Sequence, residues 1–147
     1  MITSDPDPLV RRSDEIEFEA VDAADGLSKG VLIGDDHDAP NFALRKFTLE
    51  AGSEVPKHTN EVEHVQYVLE GEYVVGIGSG PGGDGTGDGD EKQGERRERE
   101  DEEHLVSEGD SLLIPAGTVH WYRNESDDPG AFLCAVPNGD DEIQLVE

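Results

Sequence analysis

The stretch Gly109-Asp-Ser-Leu-Leu-Ile-Pro115-Ala-Gly117-Thr-Val-His120-Trp-Tyr-Arg-Asn124 decides the fold of this chain. It sets two short runs of apolar and aromatic residues on either side of a Pro-Ala-Gly turn, a pattern that predicts strands broken by a turn. Upstream, Gly52-Ser-Glu-Val-Pro-Lys-His58-Thr-Asn60-Glu-Val-Glu-His64-Val-Gln-Tyr-Val-Leu-Glu-Gly71 has a similar character and carries two more histidines. Together, the two stretches predict a β-rich domain with histidines on its strands.

The same pattern recurs along the whole chain. Short runs rich in Val, Ile, Phe and Tyr alternate with Gly, Pro, Asn and Asp, and helical periodicity is hard to find. This spacing is typical of an all-β sandwich or barrel. The predicted strands are residues 15–20, 30–33, 42–49, 64–69, 73–77, 104–106, 111–114, 120–123, 131–136 and 143–146.

The charge of the chain excludes several classes of partner. Its 147 residues contain 11 Lys and Arg against 36 Asp and Glu, a formal net charge of −25. Nucleic acids and anionic membrane surfaces are bound by clustered Lys and Arg, so neither is an expected partner. The sequence has no apolar run long enough to span a membrane and no signal-peptide pattern, which predicts a cytoplasmic protein. Its single cysteine, Cys134, permits no intrachain disulfide.

One segment accounts for the low apolar content of the chain. Residues 78–103 hold 8 glycines, 10 acids, 4 bases and no apolar residue. We therefore predict a single domain over residues 15–147 with a Gly- and acid-rich insertion at 78–103, preceded by a flexible arm at residues 1–14. The acids outside the insertion are spread over the domain. This favours adaptation to high salt, where charge repulsion is screened, over an acidic patch for a basic partner.

The alternation of side chains along a strand predicts that one charged residue, Arg45, points inward. Within residues 42–49, alternation places Phe47 and Leu49 on the apolar face and carries Arg45 there too. A buried guanidinium needs a polar partner. Arg45 is therefore expected either to pair with a carboxylate or to line a polar cavity.

Histidines and one asparagine form the candidate site. His58, Asn60 and His64 share parity, so an extended or slightly bent strand would project all three side chains to one side. His120 follows in the later stretch. Imidazole is the commonest metal ligand in proteins, and several on rigid strands leave coordination positions open for a substrate.

At these residues the chain resembles the cupins. Their second motif is G-x5-P-x-G-x2-H-x3-N. This chain matches it at every fixed position, with Gly109, Pro115, Gly117, His120 and Asn124.

The first cupin motif is matched in part. It reads G-x5-H-x-H-x(3,4)-E-x6-G, and Gly52, His58 and Gly71 occupy three of its fixed positions. Asn60 stands where the second histidine is expected, and His64 where the glutamate is expected. The second departure resembles a subgroup of small manganese-binding cupins that supply four histidines.

The resemblance implies a double-stranded β-helix, or jelly-roll barrel, with a metal site inside. It implies that His58, His64 and His120 bind one divalent transition metal, with manganese or iron preferred and zinc, nickel or copper as further candidates. Asn60 either coordinates through its carbonyl oxygen or leaves a position open, which suits oxygen or substrate binding. The alternative is an abandoned site whose histidines are only packed and hydrogen-bonded.

Other side chains are candidates for the lining of the pocket. Gln66 shares the inward parity of His64. The resemblance places Cys134 at the cavity, although a lone cysteine is more often a small buried hydrophobe. The predicted lining residues are Arg45, Gln66, Phe132 and Cys134.

Four further aromatic or imidazole side chains remain to be assigned. Of Trp121 and Tyr122, one is expected to shield the site and the other to pack outside, and the sequence leaves the choice open. His37 lies in an Asp-rich turn and His104 borders the acidic insertion. Both of these histidines are expected to be solvated.

The resemblance implies binding of a small organic molecule beside the metal. If the protein is an enzyme, oxygen-dependent oxidation or oxidative cleavage of the dioxygenase type is the first expectation. The alternatives are a non-catalytic small-molecule or metal-binding protein such as a sensor or storage protein, an isomerase, and a metal-free structural dimer. Cupins of this type commonly form homodimers, and residues 15–20 are a candidate for exchange onto the neighbour's sheet.

Overall fold

The computed structural model describes residues 7–22, 24–78 and 101–138 and the backbone of residues 143–145. Within this part of the chain there is no α-helix, and so no helix that is long and apolar enough to cross a membrane. Two 3-10 turns lie at Ser13–Glu15 and Asp35–His37. The strands are β1 (Phe18–Ala20), β2 (Leu27–Ile33), β3 (Phe42–Leu49), β4 (Glu54–Asn60), β5 (His64–Glu70), β6 (Glu72–Ile77), β7 (Glu102–Ser107), β8 (Ser111–Ile114), β9 (His120–Arg123), β10 (Gly130–Pro137) and β11 (Ile143–Leu145).

These strands form two antiparallel sheets. One has six strands in the order β1-β2-β3-β10-β5-β8, and the other has five in the order β11-β4-β9-β6-β7. From β3 to β6, and again from β7 to β11, successive strands alternate between the sheets. This is the arrangement of a jelly roll, so the prediction of an all-β jelly-roll fold is confirmed.

The apolar core lies between the two sheets and gives way to a polar region along β3 and β10. Phe132 stacks on Phe47, with ring centroids 5.1 Å apart, and on Tyr122, with centroids 5.4 Å apart. Burial of each such side chain contributes about 1.5–3 kcal/mol to folding. Two residues further along the same strands, Arg45 and Cys134 are register partners. The register therefore places polar side chains directly beside the aromatic core.

The predicted strand bounds agree with the structure best where the alternation of the sequence is regular. β3, β8 and β9 begin and end at the predicted residues. β4 is missing from the predicted strands, because exposed Pro56 and Lys57 interrupt its alternation where the register with β9 shifts. The prediction of one strand over residues 15–20 is wrong in its first half, since a 3-10 turn ends at Glu15 and β1 begins only at Phe18.

His58 and His64 lie on different strands, and the prediction of one bent strand for both is wrong. β4 ends at Asn60, and β5 begins at His64 after a turn at residues 61–63. β4 belongs to the five-stranded sheet and β5 to the six-stranded sheet. Because packed sheets lie about 10 Å apart, this turn carries the two histidines to opposite walls of the interior.

The segment predicted as an insertion is in part a strand. Its last two residues, Glu102 and Glu103, belong to β7 and pair with β6, while residues 79–100 lie outside the described residues.

At the N-terminal end of the chain, residues 1–6 also lie outside the described residues. Arg11 donates hydrogen bonds of 3.1 and 2.8 Å to the carbonyls of Val31 and Leu32, and β1 pairs with β2 of the same chain.

Asn124, the last fixed residue of the second motif, holds the turn after β9. Its Nδ2 donates to the carbonyl oxygens of Leu49 at 3.0 Å and Asp128 at 2.9 Å, and its Oδ1 accepts from the N–H of Ser126 at 2.9 Å. The side chain is 1% exposed, so these bonds satisfy a fully buried amide. Asn124 is therefore a structural residue.

Candidate functional site

Three buried histidines face the interior from the two sheets. His58 on β4 and His120 on β9 are register partners in the five-stranded sheet, and their ring centroids are 4.2 Å apart. His64 on β5 faces them from the six-stranded sheet, with its ring centroid 6.5 Å from that of His120. The fold brings His120 into one region with two histidines from a separate stretch of the sequence.

Backbone carbonyls fix the tautomers of two of these histidines. Nδ1 of His58 lies 2.8 Å from the carbonyl oxygen of Pro56, and Nδ1 of His120 lies 2.9 Å from that of Thr118. A carbonyl oxygen only accepts, so each Nδ1 carries the hydrogen and donates it. The lone pair of the neutral ring is then on Nε2. This is how metal-binding histidines are usually oriented by the residues behind them.

His64 has a different partner behind its ring. Its Nδ1 lies 3.2 Å from Sγ of Cys134, which is completely buried on β10. Nη2 of Arg45 approaches the same sulfur at 3.8 Å, and the guanidinium lies over the ring of Phe47 at 5.5 Å. Arg45 is buried, as strand parity predicts. The structure thus places Cys134 directly beside a candidate ligand and Arg45 on the other side of the same sulfur.

Asn60 is buried at the end of β4, on the same side of the strand as His58. Its backbone carbonyl accepts a hydrogen bond of 3.0 Å from the N–H of Gly117, just before β9. Asn60 therefore joins the two segments that carry His58 and His120. Its side chain is buried on the face of β4 that carries His58, at the position where the motif expects a second histidine.

A polar row crosses the inner face of the six-stranded sheet. Cys134 on β10 is the register partner of Arg45 on β3 and of Gln66 on β5, and all three are buried. Nε2 of Gln66 donates a hydrogen bond of 2.9 Å to Oη of Tyr122, which reaches across from β9. We refer to Arg45, Cys134 and Gln66 as the polar row. Three of the four predicted lining residues make up this row.

Tyr122, rather than Trp121, is the aromatic residue that faces the site. Its ring centroid is 5.7 Å from that of His120 and 6.1 Å from that of His58. Burial raises the pKa of Tyr122 far above the usual value, and the hydrogen bond from Gln66 lowers it by less, so the phenol is neutral at pH 7. The sequence held the signal for this choice, because Tyr122 shares strand parity with His120.

Trp121 packs on the other side of the five-stranded sheet. A Cβ on Gly76 would lie 1.8 Å from its indole ring, so the ring rests directly on the backbone of β6. Its Nε1 donates to Glu103 at 3.1 Å, and Arg123 donates two hydrogen bonds to the same carboxylate. Hydrogen bonds from Arg123 and Trp121 hold the pKa of Glu103 at about 2. Trp121 belongs to a surface network and is no part of the site.

Comparison with models of protein families finds one family over most of the chain. A family model described as Cupin matches residues 40–146, which contain all the residues of the candidate site. The chain is a cupin. No curated protein matches it.

Solved structures with the same fold belong to proteins of different kinds. The polyketide cyclase RemF from Streptomyces resistomycificus has a TM-score of 0.71 and 22% identity, covering 95% of this chain and 87% of that one. A cupin-2 domain from Rhodospirillum rubrum has a TM-score of 0.70 and 19% identity, covering 98% and 84%. An oxalate decarboxylase from Lactobacillus farciminis, in a formate complex, has a TM-score of 0.64 and 16% identity, covering 88% and 33%. At these identities the likeness shows the cupin fold.

The imidazole side chains of this cupin are of the kind that bind a divalent transition metal. The spacing of all three rings fits one metal ion less well. Among residues 7–22, 24–78 and 101–138, no three His, Cys, Asp or Glu side chains are close enough to hold an ion. Metal-bound imidazole nitrogens lie about 2.0–2.1 Å from the ion, so ligating rings are close neighbours, as His58 and His120 are. His64 stands further away on the facing sheet. The pair His58 and His120 is thus the part of the site whose tautomers and spacing both fit a metal.

The remaining predicted residues lie away from the three histidines or deep in the core. Phe132 is packed between Phe47 and Tyr122 in the aromatic core of the cupin. His104 is exposed on β7 beside Glu102. His37 is partly buried in a 3-10 turn, where its Nδ1 accepts a hydrogen bond from the N–H of Gly34 at 3.1 Å.

Proposed function

We propose that this cupin binds a divalent transition metal through the closely spaced rings of His58 and His120, with His64 on the facing sheet as the third candidate ligand, and a small organic molecule beside the metal. The observation that carries the proposal is the pair of hydrogen bonds from Nδ1 of His58 and His120 to backbone carbonyls. Both rings are held in the tautomer that has its lone pair on Nε2. Two neighbouring rings with the same nitrogen prepared in this way favour a shared ligand over simple packing.

The chemistry of the bound metal would be that of a Lewis acid and redox centre, with manganese or iron as the preferred ions. The residues of the chain supply the surroundings of the ligand. Arg45 brings positive charge for an anionic or oxyanionic group, and neutral Tyr122 brings a phenolic hydrogen-bond donor. Asn60 replaces an imidazole at the fourth position, which favours an open coordination site. This set supports oxygen-dependent oxidation or oxidative cleavage as the proposed reaction class.

A non-catalytic binding protein and an isomerase are the competing functions on the same fold. The structural neighbours named above include a polyketide cyclase and an oxalate decarboxylase, which indicates how varied the chemistry of cupins is. Oxygen uptake by the metal-loaded protein, measured with phenols, diketones, alkenes and thiols, separates an oxygenase from a binding protein.

The proposed metal site predicts the metal content of the purified protein. We expect about one transition metal per chain, and in His120→Ala we expect at least about a tenfold fall in affinity, because the variant removes one of the two closely spaced rings. Elemental analysis after supplementation with manganese or iron, followed by dialysis, measures both quantities.

The matched control is His104→Ala, which removes an exposed histidine far from the interior. It should bind as much metal as the natural protein. An empty natural protein after supplementation contradicts the proposal, and so does full metal retention by His120→Ala.

A further inference from the structure

Gln66 has a buried acceptor that the described part of the chain leaves unsatisfied. Its side chain is 1% exposed in the polar row, and its Nε2 donates to Oη of Tyr122. Its Oε1 has no hydrogen-bond partner among the described residues. A buried carbonyl oxygen without a donor is costly, and native proteins usually keep one only where a ligand or an ordered water supplies the hydrogen.

Tyr122 offers a donor next to this acceptor. Its oxygen accepts the hydrogen from Gln66, which leaves its own O–H available to donate to a bound ligand. The phenol lies near the rings of His58 and His120. One acceptor and one donor are therefore held side by side at the proposed metal site.

We propose that Gln66 and Tyr122 bind the polar end of a ligand that carries a hydroxyl group next to a second oxygen. The hydroxyl donates to Oε1 of Gln66, and the second oxygen accepts from the phenol of Tyr122. Hydroxy ketones, hydroxy acids and ortho-oxygenated phenols have this arrangement, because their neighbouring oxygens are about one hydrogen-bond length apart. The inference rests on the proposed function, since it places the ligand beside the histidines.

The test uses guaiacol and veratrole, which differ only in that the hydroxyl of the first is methylated in the second. Calorimetry with the natural protein, both metal-stripped and metal-loaded, should show guaiacol bound at least about tenfold more tightly, because veratrole leaves Oε1 without a donor. Gln66→Met conserves volume and removes the acceptor, so it should bind the two probes equally. Without a probe it should be at least as stable to urea as the natural protein.

Several results would overturn this proposal. They are equal binding of the two probes by the natural protein, no binding of either, or an unchanged preference in Gln66→Met. A loss of stability in Gln66→Met with no change in binding would show that an ordered water alone is bound. The metal content of Gln66→Met should remain normal, so a failure of the metal proposal is recognised separately.

Discussion

Gly71→Ala is expected to destabilise the domain by about 3 kcal/mol. Gly71 lies in the turn between β5 and β6 with φ +79°. A Cβ there would lie 2.6 Å from the carbonyl oxygen of Pro129 and 3.0 Å from Cα of Gly130. The left-handed conformation costs a non-glycine residue about 1–2 kcal/mol, and overpacking against backbone adds about 1–3 kcal/mol.

Gly52 provides a matched control for the conformational part of this cost. It has φ +80°, and a Cβ there would meet nothing within 4 Å. Gly52→Ala should therefore lose only about 1–2 kcal/mol. Urea unfolding of the two variants measures the difference in the free energy of unfolding. Equal losses in the two variants would show that the contact with Pro129 has no energetic consequence.

Stability is expected to fall steeply above pH 10, because two buried tyrosines resist ionisation. Burial, with smaller effects of neighbouring groups, raises the pKa of Tyr73 far above 10, and burial likewise raises the pKa of Tyr122. Above pH 10 the unfolded chain releases these protons and the folded chain keeps them, so rising pH favours unfolding. Each phenol contributes its stability fully below pH 10 and loses about 1.4 kcal/mol per pH unit above it.

Tyr73→Phe isolates one of these two contributions. The hydroxyl of Tyr73 is buried, with no hydrogen-bond partner among the described residues, so its removal should cost little at pH 7. Between pH 10 and 11.5 the variant should lose stability less steeply than the natural protein, by about 1.4 kcal/mol per pH unit. Urea midpoints across this pH range give both slopes. Parallel curves would mean that Tyr73 ionises in the folded state as easily as in the unfolded chain.

The site was predictable wherever it depends on strand parity. Parity placed Arg45 and Gln66 on the inner face, and the structure buries both. The same rule applied to β9 would have chosen Tyr122 over Trp121, since Tyr122 shares parity with His120. The alternation rule did not reveal β4 as a separate strand, because exposed Pro56 and Lys57 interrupt its alternation.

The groups that contact Nδ1 of the three histidines were not predictable from the sequence. The carbonyl of Pro56 receives its Nδ1 hydrogen bond where the register of β4 with β9 shifts between Val55 and His58, and that of Thr118 receives its bond in the turn just before β9. Cys134 meets His64 across seventy residues of chain. Such contacts depend on how strands are paired, and pairing is not encoded in the local pattern of either strand.

The sequence by itself determined the all-β class and the cupin family, and it supplied the four positions that we propose as the site, because motif spacing and the two-residue period of a strand are local properties. Only the tertiary structure decided that His64 faces His58 and His120 from the opposite sheet. It also decided that Gln66 is joined to Tyr122 and that Cys134 lies between Arg45 and Gln66 in the polar row. These features depend on the order and register of strands, which the folding of the whole chain selects by burying the most apolar surface.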